Sequence, residues 1–250
     1  MKLLLNSFLI FFILSGCTIQ QTPSINLSFD DRSIDSWYNI KDLFQKYDVK
    51  VTFFITQIDS LSVSDIVKLR ELEEEGHEIG YHGNIHVVSE YYIKENSYID
   101  YIENEINPGL DSLKSLGFNP ISFAYPYGSK YWFTDFLLYL KGFEYTRNVT
   151  PRFGEDDLTK LDIYSSQNSW DFRKSALEID ANAKVSIEML DLAFQKVVDE
   201  HKIIYLYAHT PTKEENPKAY NINIKYLESV FVLSKKYNLK FTTFKNFANE

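Results

Sequence analysis

From Ile25 to Thr243, short runs rich in Val, Ile, Phe and Tyr alternate with stretches of helical periodicity, strand first and helix second. Ile25–Phe29, Lys50–Ile55, His77–Gly80, Ile121–Ala124, Phe143–Tyr145, Ile203–Tyr207 and Lys240–Thr243 read as strands. Ile34–Tyr47, Val63–Glu75, Tyr131–Lys141, Ala183–Glu200 and Ile222–Tyr237 read as helices, as does Glu90–Leu116, which Asn107-Pro108-Gly109 should kink or break. Asn148 to Ala181 shows no clear period. Parallel strands need crossover connections, and a helix after each strand supplies them. This many units in one domain favour a closed or nearly closed β/α barrel over an open sheet, with the chemistry at the C-terminal ends of the strands.

The N-terminus reads as an export signal. Lys2 is the single charge of residues 1–16, an apolar run from Leu3 to Leu14 follows it, and Leu14-Ser15-Gly16-Cys17 resembles a lipoprotein cleavage site. The run is short for a permanent membrane span. Cys17 is the sole cysteine, so no internal disulfide can form, and its thiol is placed to carry lipid. The expected organisation is a signal at 1–16, a lipidated Cys17 with a tether to residue 24, and one domain over 25–250. The whole chain has a formal charge of −9, which argues against nucleic acid or anionic lipid as a partner held by bulk charge. Membrane attachment would come from acyl chains, on a bacterial envelope facing the periplasm or the exterior, and a monomer is expected. Aromatics make up 16% of the chain, so some should reach the surface, where they suit a sugar face or any other interface.

Asp30, Asp31, His82, Pro126 and His209 all fall at or just after strand ends. Adjacent aspartates ending a buried strand are costly unless a charge compensates them. Alone, Asp30-Asp31 also fits a solvated turn or a helix N-cap, and His82-Gly83-Asn84-Ile85-His86 also fits two polar loop residues. Taken together, Asp31, His82 and His86 make a three-ligand face with positions left for water and substrate, the layout of a catalytic metal site. Such a set suits zinc, while cobalt, nickel and iron accept the same ligands. Asp30 would then stand free beside the metal to accept a proton, a hydrolase arrangement.

These blocks resemble the polysaccharide deacetylase superfamily, the NodB-homology domain of carbohydrate esterase family 4. The similarity lies in Ser28-Phe29-Asp30-Asp31, in Val51-Thr52-Phe53-Phe54-Ile55 and above all in Gly76-His77-Glu78-Ile79-Gly80-Tyr81-His82-Gly83-Asn84-Ile85-His86. The resemblance spans Ile25 to Asn246 and implies an α/β fold, a distorted or incomplete (β/α) barrel. It implies metal-dependent removal of acetyl groups from an N-acetylated polysaccharide of the envelope or an exported glycan. An O-acetyl glycan esterase, a non-sugar amidase and a non-catalytic glycan-binding lipoprotein stay open as alternatives. By position, Asp30 resembles the catalytic base, Asp31, His82 and His86 the metal ligands, and His209 the general acid. Phe123-Ala124-Tyr125-Pro126-Tyr127-Gly128 resembles the block that holds the oxyanion, which places Pro126 and the Tyr127 amide there; Leu206 and Tyr207 read as pocket wall.

Three departures stand out. Ala124 occupies the place of an arginine that orients the base, so a charged partner should be missing. Gly83 replaces a Ser or Thr whose hydroxyl would steady the loop. The Asp-Trp block that tunes the acid histidine has Trp170-Asp171 as its nearest counterpart.

Overall fold

The computed structural model describes residues 22–166, 172–214, 216 and 219–247. Its first half runs β1 (Ser24–Asp31), α1 (Ile34–Tyr38), α2 (Lys41–Tyr47), β2 (Thr52–Ile55), α3 (Val63–Glu74), β3 (Glu78–Tyr81), α4 (Ser89–Glu95), α5 (Tyr98–Tyr101), α6 (Asn107–Ser115) and β4 (Ser122–Ala124). The second half runs α7 (Thr134–Leu140), β5 (Tyr145–Val149), β6 (Tyr164–Ser165), β7 (Arg173–Glu178), α8 (Ile187–Asp199), β8 (Ile203–Ala208), β9 (Thr210–Thr212), β10 (Asn221–Asn223), α9 (Ile224–Lys236), β11 (Lys240–Phe241) and α10 (Phe244–Phe247).

Strands β1, β2, β3, β4, β5, β7 and β8 pair in parallel in that order, and β8 returns to β1 from Ser24↔Ile203 to Phe29↔Ala208, which closes the ring. The barrel is distorted: β3 and β4 share one register pair, Tyr81↔Phe123, and β7 and β8 share two. Small strand β11 extends β1 outside the ring, and β6 lies antiparallel on β8.

Alternation along the strands separates two apolar regions. Ile25, Leu27, Phe29 and Phe53 point outward and pack with Trp37 and Phe44 of α1 and α2, all fully buried. Phe54, Ala124, Ala176, Tyr205, Tyr207 and Phe244 form a smaller cluster drawn from strands on every side of the ring, which places it inside. Gly80 is required on that inner face, because a Cβ there would lie 2.6 Å from the Phe54 ring and 2.8 Å from Ser122 Oγ. Near the start of β3, buried Glu78 accepts hydrogen bonds from Thr52 Oγ1 (3.0 Å), Ser122 Oγ (2.6 Å) and the Lys245 amide (2.8 Å). With Phe244 stacked on Tyr205, α10 therefore plugs the barrel end opposite the strand C-termini.

Several boundaries differ from the sequence reading for local reasons. The helix of Ile34–Tyr47 is two helices, turned at Asn39-Ile40. The long stretch breaks at Asn96 (φ −121°, ψ −113°), whereas Asn107-Pro108-Gly109 does not interrupt it. There the helix widens into a π turn over Ile102–Ile106, which accommodates a proline with no N–H to donate. The fifth strand begins at Tyr145 and runs on to Val149, and β7 lies wholly inside the stretch that showed no period. Cys17 and Trp170-Asp171 lie outside the described residues. No helix among the described residues is long and apolar enough to cross a membrane.

Candidate metal centre and active site

Parallel pairing brings the C-terminal ends of the strands to one mouth, and every residue singled out at a strand end arrives there. Asp30 and Asp31 close β1 and point to different places: Asp30 is buried inside the ring, while Asp31, at φ 80°, is half-exposed. His82 follows β3 directly, and the loop after it returns His86 to the same point. His86 Nε2 lies 3.2 Å from Asp31 Oδ1 and 3.3 Å from His82 Nε2, and His82 Nε2 lies 3.7 Å from Asp31 Oδ1. The His82 Nδ1 atom sits 2.8 Å from the Ala124 carbonyl, an acceptor, so Nδ1 carries the hydrogen and Nε2 turns its lone pair to the cluster.

Burial holds the His82 imidazole down at about 4, so it is neutral at neutral pH, the form that ligates metal. For Asp31 burial acts upward, but the His86 hydrogen bond and the fields of His82, His209 and His86 outweigh it and bring the carboxyl to about 2. The Asp31 carboxylate and the His82 imidazole are thus presented in ligating form, and His86 completes a set whose donor atoms all lie within 4.8 Å of one another. This donor set fits a divalent cation.

Asp30 is the neighbour of that cluster, with Oδ2 3.8 Å from His82 Nε2. The charge partner that Ala124 was expected to leave missing is present, supplied from the next strand. Arg147 of β5 pairs in register with Ala124, is itself buried, and donates through Nη2 to Asp30 Oδ2. Its guanidinium carbon lies 4.6 Å from the Tyr207 ring centroid and 5.4 Å from that of Phe54, which holds the cation between aromatic faces. Asp30 Oδ1 remains buried with no protein partner, an acceptor left over for a group in the cavity.

His209 follows β8. Its Nδ1 meets Asp180 Oδ2, its own amide donates to Asp180 Oδ1 at 3.1 Å, and its carbonyl accepts from Trp37 Nε1 at 2.7 Å. Burial acts downward on His209, but the Asp180 hydrogen bond and the charges of Asp30, Asp180 and Asp31 prevail and raise it to about 9. Asp180, just beyond β7, is thus the carboxylate that meets His209 among the described residues, outside which Asp171 lies. A cavity of about 470 Å³ joins Asp30, Asp31, His82, His86, Tyr127, Glu178, Tyr207, His209 and Tyr220. Tyr127 (φ 59°) and Tyr220 are exposed at its rim, with their rings 4.9 Å from His86 and 5.0 Å from His209. Pro126 is buried beside them, Tyr207 lines the wall as expected, and Leu206 belongs to the outer core instead.

Reading the sequence missed Arg147, Asp180, Glu178 and Tyr220. Asp180 had a signal: Ser175-Ala176-Leu177-Glu178-Ile179-Asp180 ends an apolar run in acid much as Ser28-Phe29-Asp30-Asp31 does. Arg147 had a weaker one, a lone cation inside the short run Tyr145–Val149.

Two outcomes follow from these pairs. Arg147→Met leaves Asp30 buried and unpaired and should cost about 3–5 kcal/mol of unfolding free energy in urea. Combining it with Asp30→Asn should recover much of that loss, and strict additivity in the double variant would show that the two groups do not act as a pair. His209 has a folded pKa above its usual 6.5, so its contribution to stability is complete below about pH 6.5 and is lost as pH rises through about 9. In metal-free protein, thermal melting from pH 6 to 10 should show this decline, and Asp180→Asn should flatten it; an unchanged profile in that variant would contradict the assignment.

Three solved structures show the same fold at low identity. A putative polysaccharide deacetylase from Mycobacterium smegmatis matches with TM-score 0.60 and 13% identity, over 93% of this chain and 91% of that one. The catalytic domain of a peptidoglycan N-acetylglucosamine deacetylase from Eubacterium rectale matches at 0.54 and 14%, over 92% and 94%. The chitin deacetylase of Colletotrichum lindemuthianum matches at 0.54 and 16%, over 91% and 88%. No curated protein matches. Residues 19–147, which carry both aspartates, both loop histidines and the Tyr125-Pro126-Tyr127 turn, match the family model described as polysaccharide deacetylase, and the chain belongs to that family.

Proposed function

We propose that this chain is a divalent-cation-dependent hydrolase that removes acetyl groups from an N-acetylated polysaccharide of the cell envelope or an exported glycan. One observation carries the reading: a three-donor cluster, a buried carboxylate with one oxygen left over and a carboxylate-paired histidine all face one cavity. Asp31, His82 and His86 would hold the cation, with zinc the metal that this set suits best. When bound, it supplies Lewis acidity to an acyl carbonyl and to water at the site.

The protein's own groups account for the proton movements. Asp30, held by Arg147 through Oδ2, accepts a proton from water at Oδ1. The Tyr127 amide, beside Pro126 at the rim, donates to the oxyanion that develops on the acyl group. His209, kept protonated by Asp180, gives its proton to the departing nitrogen, and Tyr127 and Tyr220 offer ring faces to the sugar. The same site would serve an O-acetyl ester, where the leaving oxygen needs less protonation. A pure binding module has no use for a buried base opposite a primed acid, so the paired Asp30 and His209 favour catalysis over glycan binding alone. In this reading Cys17 bears the lipid that ties the enzyme to the membrane.

Metal-loaded chain from Thr18 onward should release acetate from N-acetylglucosamine oligomers or peptidoglycan, and Asp30→Asn should lower kcat about 10²- to 10⁴-fold with metal retained. Release from acetylated xylan alone would redirect the proposal to an esterase, and no release with metal tightly bound would end the enzyme reading. Expressed from the whole sequence, Cys17→Ser should shift the protein from the membrane to the soluble fraction; unchanged membrane association would remove the lipid anchor from the proposal.

A further inference from the structure

His82 and His86 are held in different ways. His82 continues β3, and its ring is fixed by the Ala124 carbonyl. His86 stands at the end of an irregular loop, at φ 58°, and among the described residues the polar contacts of its ring are with His82 and Asp31. Its position therefore depends on what holds its backbone.

Glu105 does so. It lies on the π turn Ile102–Ile106, is fully buried, and reaches beneath the loop. Oε2 accepts the Ile85 amide at 2.7 Å and Oε1 accepts the Val87 amide at 3.1 Å, so one carboxylate grips the chain on both sides of His86. The Glu105 carbonyl adds bonds from the Asn84 amide (2.9 Å) and the Tyr81 hydroxyl (2.7 Å), which tie the turn to the start of the loop and to β3. Thr56 Oγ1 anchors the Gly83 carbonyl at 2.8 Å from the other side.

Gly83 and Glu105 are a matched pair. Gly83 has φ 80°, and a Cβ there would fall on Glu105 Oε1 and lie 2.8 Å from Glu105 Cδ. The hydroxyl that Gly83 lacks is thus no loss: the empty space admits a carboxylate that steadies the loop through two amides. A single-residue widening of a helix is a common way to aim a side chain at a functional site, and here it aims Glu105.

We propose that Glu105 is a positioning residue for the cation site, clamping the backbone on both sides of His86 so that its imidazole is set before metal binds. The inference rests on the reading of Asp31, His82 and His86 as ligands, and on this arrangement outer groups that orient a ligand typically govern metal affinity by about 10- to 100-fold.

The test is the zinc dissociation constant of the chain, measured by chelator competition, for Glu105→Ala, Glu105→Gln, His86→Ala and the double variant Glu105→Ala/His86→Ala. Glu105→Ala should weaken zinc binding about 10- to 100-fold, with kcat at saturating zinc within about threefold of the unaltered chain. Glu105→Gln should fall between, because its amide can accept from one loop N–H but opposes the other with its own donors. In the His86→Ala background, loss of Glu105 should cost nothing further, since the clamp acts through that ring. If Glu105→Ala does not fold, Gly83→Ala, which evicts the carboxylate without removing it, should give the same loss. Unchanged affinity in Glu105→Ala and Glu105→Gln, with zinc binding weakened by His86→Ala, overturns the clamp alone, as does an equal loss from Glu105→Ala with and without His86. Absence of zinc binding by the unaltered chain overturns the ligand reading and the clamp together.

Discussion

A carboxylate inside a barrel is stable only if something offsets its lost hydration, and Arg147 does this for Asp30. The pair crosses the interior from β5 to β1, with the guanidinium lodged between Tyr207 and Phe54. Much of the surrounding structure serves that arrangement. Ala124, directly across from Arg147, keeps its side chain small where the arginine must pass, and its carbonyl fixes the His82 ring. The pair leaves one Asp30 oxygen uncommitted, so charge compensation and chemical availability come from the same contact.

The other polar groups at the mouth follow the same logic of a carboxylate acting through a neighbour. Asp180 holds His209 from a strand end two places round the ring from Asp30, and Glu105 holds the loop that carries His86. Asp135, buried at the start of α7, accepts from the Tyr125 hydroxyl (2.8 Å), Thr146 Oγ1 (3.0 Å) and Lys130 Nζ (2.7 Å), which fixes the turn bearing Pro126 and Tyr127. His209, the His86 loop and the Tyr127 turn are thereby each backed by a buried carboxylate, and such backing keeps a site close to its working geometry. At the far end of the barrel Phe244 stacks on Tyr205 and Glu78 accepts the Lys245 amide, which closes that end with α10.

Legibility followed the range of the interactions concerned. Strand and helix order was readable because burial on one face imposes a period on neighbouring residues; Asp30, Asp31, His82 and His209 were readable because they sit where such runs end, and His86 because it stands four residues after His82. Two elements were harder. β7 carries Arg173 and Lys174 at its start, which interrupts the apolar pattern that would mark it. The π turn leaves no periodic trace beyond Pro108, so Glu105 looked like one more charged residue on a helix.

By itself, the sequence determined the parallel α/β architecture and singled out Asp30, Asp31, His82, His86 and His209 as residues worth bringing together, since both rest on local pattern and residue chemistry. Tertiary structure alone decided that the ring closes through β8 and β1, that Arg147 replaces an arginine absent at position 124, that Asp180 meets His209, and that Gly83 makes room for Glu105. The reason is physical: these are contacts between residues far apart in the chain, chosen by strand register and by the space left after packing, and neither quantity is a property of any one segment.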